Sequence, residues 1–332
     1  MNVLIIKDNK PGHYNQSEGL LLQLRSIYNN VNVEYCEIEI KSKLSRKILR
    51  FLLNNFSSFF EKDKSLNYLK LFYNNVPLPK NVPNLIISTG GNTSNLNAWF
   101  SRFYKCKNIL NGALRGLNEN LFTYVTTVIN LEYKNQIILD VAPSIIEQNK
   151  LKEASIKFIE ENKLDINKSF YTLLIGGNGS GYSYDKAFYE KLVFTVKDLS
   201  FKNNIMWLIS TSRRTPLEIE SYLEKELKEY SAYFVSYNQK EEKILLPFLG
   251  LAEKIFVTED SASMISEAIT SCKPVFTLRP NKINSDENYQ KIIKKFQDAK
   301  FIYSLDINKK MDIDKITFNN KEINNIFREM EI

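Results

Sequence analysis

The fold is decided by one stretch of the sequence, which reads Tyr171-Thr172-Leu173-Leu174-Ile175-Gly176-Gly177-Asn178-Gly179-Ser180-Gly181. Its first five residues predict a buried strand, and its glycines predict a turn at the carboxyl end of that strand. The chain has 11 glycines, and four of them fall within Gly176–Gly181. Glycine lets the backbone approach a ligand closely and point several N–H groups at an anion.

These properties predict a phosphate-binding loop built from Gly176, Gly177, Asn178 and Gly179. The loop is not of the Walker A type, because the Gly-Lys-Ser/Thr ending of that motif is absent. The alternative is a simple flexible turn without a ligand.

Strands and helices alternate on both sides of this loop. The predicted strands of the second half are Tyr171–Ile175, Ile205–Thr211, Ala232–Ser236, Lys254–Thr258 and Pro274–Leu278. Amphipathic helical patterns lie between them, at about 184–199, 216–229, 240–250 and 262–271. Four successive βα units predict a parallel, doubly wound sheet, in which ligands bind beyond the carboxyl ends of the strands.

The first half has a similar pattern. Strands are predicted at Asn2–Ile6, Val31–Glu39, Leu85–Ser88 and near Ile109, and helices after Tyr14 and at about 43–60, 64–74 and 92–105. A polar helical stretch, Glu147–Lys168, separates the halves. We therefore expect two domains, residues 1–155 and residues 156–332, with the last helix packing back on the N-terminal domain.

Composition excludes several classes of protein. A hydrophobic content of 43% and a charged content of 25% are globular values, and no apolar run approaches the roughly 20 residues that span a bilayer. Three widely spaced cysteines predict neither a disulfide framework nor a metal site, and they fit a reducing cytoplasm. A single histidine, His13, excludes His-rich metal centres.

The net charge of +7 has two interpretations. It reflects either a Lys- and Asn-rich composition alone or an attraction to anionic partners such as phosphorylated substrates or a membrane surface. No basic tail or aromatic ladder predicts nucleic-acid binding. We expect neither a metal nor another bound cofactor.

Two adjacent arginines follow the second strand of the second half. Ser212, Arg213 and Arg214 are predicted to lie in the loop, because Thr215 and Pro216 are suited to the N-cap and the first position of the next helix. Arginine pairs can clamp a diphosphate through bidentate hydrogen bonds. We choose Arg213 for this role and expect Arg214, next to the helix start, to turn to solvent; the alternative is a solvated surface pair.

Polar residues also follow the fourth strand. Ser261 or Ser263 is predicted to cap the next helix and to offer hydroxyl and N–H groups to a phosphate. Asp260 and Met264 flank these serines, and Glu267 lies on the helix where its carboxylate can accept two hydrogen bonds from a ribose diol. The alternative is an ordinary capped helix with a surface glutamate.

The single histidine lies just after the first strand. Gly12 precedes His13, and Asn15 and Gln16 follow it, so His13 is predicted in the loop that enters the first helix. An imidazole there can act as a general base, and Asp8 can orient it. The alternative is a structural histidine.

The segment Lys43–Phe60 combines apolar and basic residues. Its apolar residues at near-helical spacing are Leu44, Ile48, Leu49, Leu52, Phe56, Phe59 and Phe60, and the basic residues around them are Lys41, Lys43, Arg46, Lys47 and Arg50. This combination predicts a helix that lies on an anionic membrane. The alternative is a helix packed on the sheet of the N-terminal domain.

The motifs together resemble one family. The opening stretch, Asp8-x-Lys10-Pro11-Gly12-His13-x-Asn15-Gln16-Ser17-x-Gly19-Leu20, is similar to the first motif of the elongated-mitochondria (ELM) family of proposed glycosyltransferases of plants and bacteria. Leu174–Gly177, Ser210–Pro216 and Val257–Ala268 resemble its three later motifs, in the same order. The resemblance spans nearly the whole chain and is weakest in 95–165.

The resemblance implies a GT-B fold, in which two doubly wound Rossmann-like domains face each other across a cleft. The C-terminal domain would hold a nucleotide-sugar and the N-terminal domain an acceptor, without a bound metal. Arg213, the glycine loop and helix N-termini would stabilise the leaving diphosphate. His13 would be the base or an acceptor ligand, and Gly90, Gly91 and Asn92 would lie on the acceptor side.

The predicted function is a metal-independent glycosyltransferase that acts on a cell-envelope glycan or a lipid-linked acceptor. We expect it in the cytoplasm, at the inner face of the membrane. One alternative is a GT-B enzyme similar to the nucleotide-sugar 2-epimerases, and another is a non-catalytic, membrane-associated scaffold with a GT-B-like fold. The presence of Gly176–Gly181, Arg213, Ser261 and Glu267 together favours an active enzyme.

Overall fold

A computed structural model describes residues 1–307, 313–319 and 323–332 of the chain. The chain forms two compact units. Unit 1 comprises Met1–Ile145 and Asn324–Ile332, and unit 2 comprises Ile146–Ile323.

Unit 1 contains a six-stranded parallel sheet. Its strands are β1 (Asn2–Lys7), β2 (Asn32–Glu37), β3 (Leu85–Thr89), β4 (Lys107–Asn111), β5 (Tyr124–Thr127) and β6 (Gln136–Ile138), in the order β2-β1-β3-β4-β5-β6. Its helices are α1 (Pro11–Arg25), α2 (Lys43–Asn55), α3 (Leu69–Phe72) and α4 (Ser94–Tyr104), with 3₁₀ turns at Ser57–Glu61, Asp63–Tyr68, Glu119–Leu121 and Ile326–Arg328.

Helices cover both faces of this sheet, which explains the unbroken apolar runs in its central strands. Successive residues of β1 point to opposite faces. Leu4 therefore packs in one core with Trp99 of α4, and Val3 packs in the other with Leu20 of α1. Phe327 of the C-terminal segment joins the second of these cores.

Unit 2 repeats the architecture. Its main sheet is parallel, in the order β10-β9-β7-β11-β12-β14. The strands are β7 (Ser169–Leu174), β8 (Tyr182–Ser183), β9 (Ile205–Ser210), β10 (Ser231–Val235), β11 (Ala252–Thr258), β12 (Val275–Arg279), β13 (Lys282–Ile283) and β14 (Ile302–Asp306). The helices are α5 (Gln148–Asn162), α6 (Lys186–Asn203), α7 (Leu217–Leu227), α8 (Leu245–Leu251), α9 (Ala262–Thr270) and α10 (Glu287–Asp298), with a 3₁₀ turn at Ile313–Lys315. The short strands β8 and β13 pair with each other in a separate, two-stranded antiparallel sheet.

The predicted fold class, two doubly wound α/β sheets, is confirmed. Two helix starts were predicted wrongly. Helix α1 begins at Pro11, so that His13 lies in its first turn and not in the preceding loop. Helix α7 begins at Leu217 with Pro216 as its N-cap, because the hydroxyl of Thr215 bonds to other backbone groups.

The three cysteines are free thiols. Among the described residues, no helix is both long enough and apolar enough to cross a bilayer.

Candidate functional site

Three loops of unit 2 meet at one edge of its sheet. They follow β7, β9 and β11, which are neighbouring parallel strands, so that their carboxyl ends lie side by side. The Thr215 Oγ1 hydroxyl donates to the carbonyl of Gly176 at 2.9 Å, and the Ser212 hydroxyl donates to the same oxygen. The N–H of Gly176 donates to Thr258 Oγ1 at 2.7 Å. These bonds join the predicted glycine loop to both neighbouring loops.

The glycines of this loop are required by the close approach of the other two loops. A Cβ on Gly176 would collide with the carboxylate of Asp260, and one on Gly177 would collide with the backbone of Arg214. Gly177 also has a φ of 128°, which disfavours other residues. In the described part of the chain, the N–H groups of Gly177 and Asn178 have no hydrogen-bond partner. The loop is therefore tightly packed and still presents free donors, as a phosphate site requires.

Arg214 lies inside this loop cluster. Its guanidinium forms a salt bridge with Asp260, which is buried, and its side chain packs against Gly179. The expectation that Arg214 turns to solvent is thus wrong, and Arg213 is the exposed member of the pair. The sequence could not show this, because the partner of Arg214 lies 46 residues further along the chain.

Asp260 is an unusual carboxylate. Burial raises its pKa, although hydrogen bonds to Thr258 and Arg214 oppose the shift. Its Oδ1 atom and the Nε atom of Arg214 are buried without hydrogen-bond partners. The pair therefore keeps hydrogen-bonding capacity for a ligand at the mouth of the glycine loop.

The start of α9 borders the same loops. Ser261 is its N-cap, as predicted, and its hydroxyl oxygen accepts a hydrogen bond from the N–H of Met264 at 3.5 Å. Ser263 Oγ lies 3.2 Å from Ser261 Oγ. Two hydroxyl groups thus stand at the positive end of a helix dipole, a position that favours anions.

Glu267 lies one turn further along α9. Its carboxylate is partly buried and has no hydrogen bond or salt bridge to any residue that the structure describes. Desolvation raises its pKa to about 7. A desolvated carboxylate without a hydrogen-bond partner lowers the stability of the fold, and such groups are concentrated at ligand sites.

Two further polar groups of unit 2 were missed by the sequence analysis. Arg279, at the end of β12, donates from Nε to the buried Glu259 at 2.7 Å. Asn238, just after β10, donates to the carbonyls of Ser212 and Thr215 and so supports the arginine loop. Their positions at the end of a strand or just after it are the signal that could have identified them.

In unit 1, His13 pairs with Asp8 at the end of β1. His13 Nδ1 lies 3.1 Å from Oδ1 and 3.2 Å from Oδ2 of Asp8, which is buried. Burial would raise the pKa of Asp8, but hydrogen bonds from His13, Asn92 and the Lys10 N–H outweigh it and lower the pKa. An ionised carboxylate can only accept hydrogen bonds, so Nδ1 is the donor to Asp8, and Nε2 is the ring nitrogen without a hydrogen-bond partner among the residues that the structure describes.

The loop after β3 forms the wall beside this pair. Gly90 has a φ of 85°, and a Cβ there would collide with the imidazole of His13. Asn92 Nδ2 donates to Asp8 Oδ2 at 3.0 Å, and Arg46 of α2 donates to Asn92 Oδ1 at 3.1 Å. The chain Arg46–Asn92–Asp8–His13 thus fixes the carboxylate and the ring.

The other residues predicted on the acceptor side divide into two groups. Gln16 Oε1 accepts from Asn111 Nδ2 at 2.7 Å, which makes Asn111, missed by the sequence analysis, part of the same polar edge. Asn15 is partly exposed, and the space around Gly12 is open, so that packing does not explain a glycine there.

Comparisons with known proteins agree with this architecture. Residues 11–325 match the family described as Mitochondrial fission ELM1. A curated relative, the uncharacterized protein RP120 of Rickettsia prowazekii (strain Madrid E), is 24% identical over 314 residues, which are 86% of this chain and 85% of the relative.

Two solved structures are similar over both units. The glycotransferase of kitacinnamycin has a TM-score of 0.51 at 10% identity, covering 95% of this chain and 88% of that one. The UDP-GlcNAc 2-epimerase from Methanocaldococcus jannaschii has a TM-score of 0.49 at 16% identity, covering 96% and 95%. Identities this low bear on the fold alone. The chain has the GT-B fold, and it belongs to the Mitochondrial fission ELM1 family.

Proposed function

We propose that this protein is a glycosyltransferase that moves a sugar from a nucleotide-sugar, held by unit 2, to a hydroxyl group of an acceptor held by unit 1. The observation that carries the proposal is the pairing of the chain's one imidazole, His13, with the buried, ionised Asp8 at the end of β1. This arrangement leaves Nε2 as a proton acceptor at a position where GT-B enzymes act on acceptors.

The donor site of this proposal is the loop cluster of unit 2. The free N–H groups of Gly177 and Asn178 and the hydroxyls at the start of α9 would bind the diphosphate. Arg214 would share its guanidinium between Asp260 and a phosphate oxygen, and the partnerless carboxylate of Glu267 would accept hydrogen bonds from the ribose. These groups would stabilise the leaving diphosphate without a metal ion.

In the proposed reaction, one bond forms, one bond breaks, and the proton and the leaving group each have a place to go. The acceptor oxygen bonds to the anomeric carbon, and the bond from that carbon to the diphosphate breaks. The hydroxyl proton passes to His13 Nε2, and Asp8 stabilises the resulting imidazolium. The diphosphate leaves with the negative charge and remains bound in unit 2.

We further propose that α2 contacts an anionic membrane surface, at the inner face of the cell membrane, and that the acceptor is a cell-envelope or lipid-linked glycan. One face of helix α2 packs against the rest of unit 1, where Leu49 and Leu53 are buried. Its other face leaves Leu44, Ile48 and Phe51 exposed. An apolar face flanked by lysines and arginines is typical of interfacial helices.

Product analysis tests the proposal against its alternatives. The protein is incubated with labelled nucleotide-sugars, with and without a membrane lipid extract. A transferase releases free nucleotide only when an acceptor is present. A 2-epimerase alters the sugar without an acceptor, and a scaffold binds no nucleotide at all; either result would refute sugar transfer.

A further inference from the structure

Arg279 is a second arginine that a buried acid holds at the carboxyl edge of the sheet of unit 2. Glu259 and Asp260 are consecutive residues directly after β11, and both are buried. Asp260 pairs with Arg214 of the loop after β9, whereas Glu259 Oε2 accepts from Arg279 Nε at 2.7 Å. Because the strand order is β9-β7-β11-β12, the two arginines approach the end of β11 from opposite sides.

Glu259 is fully occupied by partners within the protein. Its Oε1 atom accepts from Thr277 Oγ1 at 2.8 Å and from the hydroxyl of Ser304, while its Oε2 atom accepts from Arg279. The side chain is 0% exposed, so the carboxylate does not itself face a ligand. Its effect is to fix the position of the Arg279 guanidinium.

Arg279 keeps hydrogen-bonding capacity beyond its bond to Glu259. Its side chain is 37% exposed, compared with 31% for Arg214. Only Nε is bonded to Glu259, and among the described residues the other polar contact of the guanidinium is with the side chain of Tyr182. N–H groups at the end of the planar fork therefore remain for an anionic ligand.

The segment between β12 and α10 joins the glycine loop to the surroundings of Arg279. Strand β13 in this segment pairs with β8, which follows the glycine loop directly. The N–H of Asn284 donates to the carbonyl of Gly181 at 2.7 Å, and a Cβ on Gly181 would collide with the carbonyl of Asn284. Tyr182, the residue after this glycine, contacts Arg279. Arg279 therefore lies at the C-terminal end of the glycine loop.

We propose that Arg279 binds a phosphate oxygen of the nucleotide, on the β12 side of the glycine loop, whereas Arg214 lies on the β9 side. A planar guanidinium that is fixed through Nε can still offer its terminal N–H groups to two phosphate oxygens. The buried Glu259 balances the charge of Arg279 while the site is empty. This inference rests on the proposed function only in taking a nucleotide as the ligand.

Calorimetric titration of the full chain tests the phosphate contact. UDP, GDP, ADP and dTDP are compared first, and the nucleotide that binds most tightly is then titrated into the variants, alone and with its sugar attached. Arg279→Lys keeps a positive charge beside Glu259 but loses the planar fork. We expect it to weaken both ligands about tenfold. Lys282→Gln, which removes an exposed charge from β13, should bind both as the wild type does.

A double variant keeps the test valid if Arg279→Lys is unstable. Arg279→Gln combined with Glu259→Gln removes both charges, so that no buried carboxylate is left unpaired. Its thermal unfolding without nucleotide checks that the fold is intact, and its affinity should fall about tenfold or more.

Three results would overturn the phosphate contact. Wild-type affinity in the folded Arg279 variants would make the pair with Glu259 purely structural. An equal loss in Lys282→Gln would show general attraction to charge. A loss confined to the nucleotide-sugar would place Arg279 at the sugar instead of the phosphate.

Sugar-transfer assays distinguish this inference from the proposed function. If Arg279→Lys weakens nucleotide binding but the wild type transfers no sugar to any acceptor, the phosphate contact stands and the proposed function fails. If the wild type transfers sugar while the Arg279 variants bind nucleotide normally, the proposed function stands and the phosphate contact fails.

Discussion

At the scale of single residues, Glu267 gives the clearest dependence on pH. Its pKa rises from an ordinary value of 4.5 to about 7 on folding, because the carboxylate is desolvated. Between these values the folded state binds more protons than the unfolded state, so folding stability falls as the pH rises. The cost of burying the charge is absent below about pH 4.5 and complete above about pH 7.

We therefore predict that Glu267→Gln raises the midpoint of thermal unfolding at pH 8 by about 2–4 °C or more and leaves it unchanged near pH 4.5. Differential scanning calorimetry at both pH values measures the effect. Glu160→Gln, at an exposed position of α5, is the control and should show no such difference. A stabilisation of Glu267→Gln that is the same at both pH values would contradict a titrating carboxylate.

Removal of the Glu267 carboxylate should also weaken nucleotide binding. Glu267→Ala is expected to weaken nucleotide binding by roughly 1.5–3 kcal/mol through the loss of charge-assisted hydrogen bonds. Isothermal calorimetry measures this, and unchanged affinity in the folded variant would refute the ribose role.

Arg214 and Arg213 have different surroundings, so their substitution should have different effects. Arg214 is held against the glycine loop by Asp260, whereas Arg213 is exposed. We predict that Arg214→Lys, which keeps the charge but loses the planar fork, lowers turnover about tenfold or more, and that Arg213→Lys changes it little. If Arg213→Lys is the more damaging change, the diphosphate lies on the other side of this loop.

Substitutions of His13 test the proposed acceptor side of the reaction. His13→Ala should lower turnover by roughly 10²–10⁴, the usual contribution of a general base. Nucleotide affinity should stay unchanged, because the proposed donor residues all belong to unit 2. His13→Gln keeps a polar side chain but cannot take a proton. Recovery of most activity in His13→Gln would make His13 a ligand rather than the base.

At the scale of helices and strands, the sequence predicts the strands of unit 2 well and misses several others. β7, β9, β10, β11 and β12 are found within about two residues of their predicted positions, because glycine or polar residues end each apolar run. β5, β6 and β14 were missed: β5 and β6 have only four and three residues, and Ile302–Asp306 alternates with exposed positions.

The site is predictable mainly where its residues lie within a few residues of the carboxyl end of a strand. His13, Gly176 and Ser261 were found in this way. Arg46 was not assigned to the site, because its approach to Asn92 depends on how α2 packs. Periodicity also could not decide between a packed α2 and an interfacial α2, since the helix has both a buried and an exposed apolar face.

The exposed face of α2 leads to a prediction of its own. Ile48→Ser and Phe51→Ser should weaken co-sedimentation with anionic vesicles without lowering thermal stability, because both side chains are exposed. Phe201→Ser, at a side chain of α6 that is 90% exposed, is the matched control and should bind as the wild type does. An equal loss in the control, or no loss in α2, would exclude this helix as the membrane contact.

At the scale of the whole molecule, each unit contributes one part of the proposed chemistry. Unit 2 has free N–H donors, a capped helix and Arg214, which we propose bind a diphosphate, and unit 1 has a histidine held by a buried aspartate. Neither set completes a transfer reaction by itself.

The most direct test of the account is nucleotide binding by unit 2. The unfolding midpoint of the full chain is measured with UDP, GDP, CMP, dTDP and their sugars, for the wild type and for Glu267→Ala. We predict that one base gives a clear rise, equivalent to about 2.7 kcal/mol at a ligand concentration 100 times the dissociation constant, and that the variant loses most of it. If no nucleotide shifts the midpoint of the wild type, the chain does not bind a nucleotide-sugar and the proposed transfer is wrong.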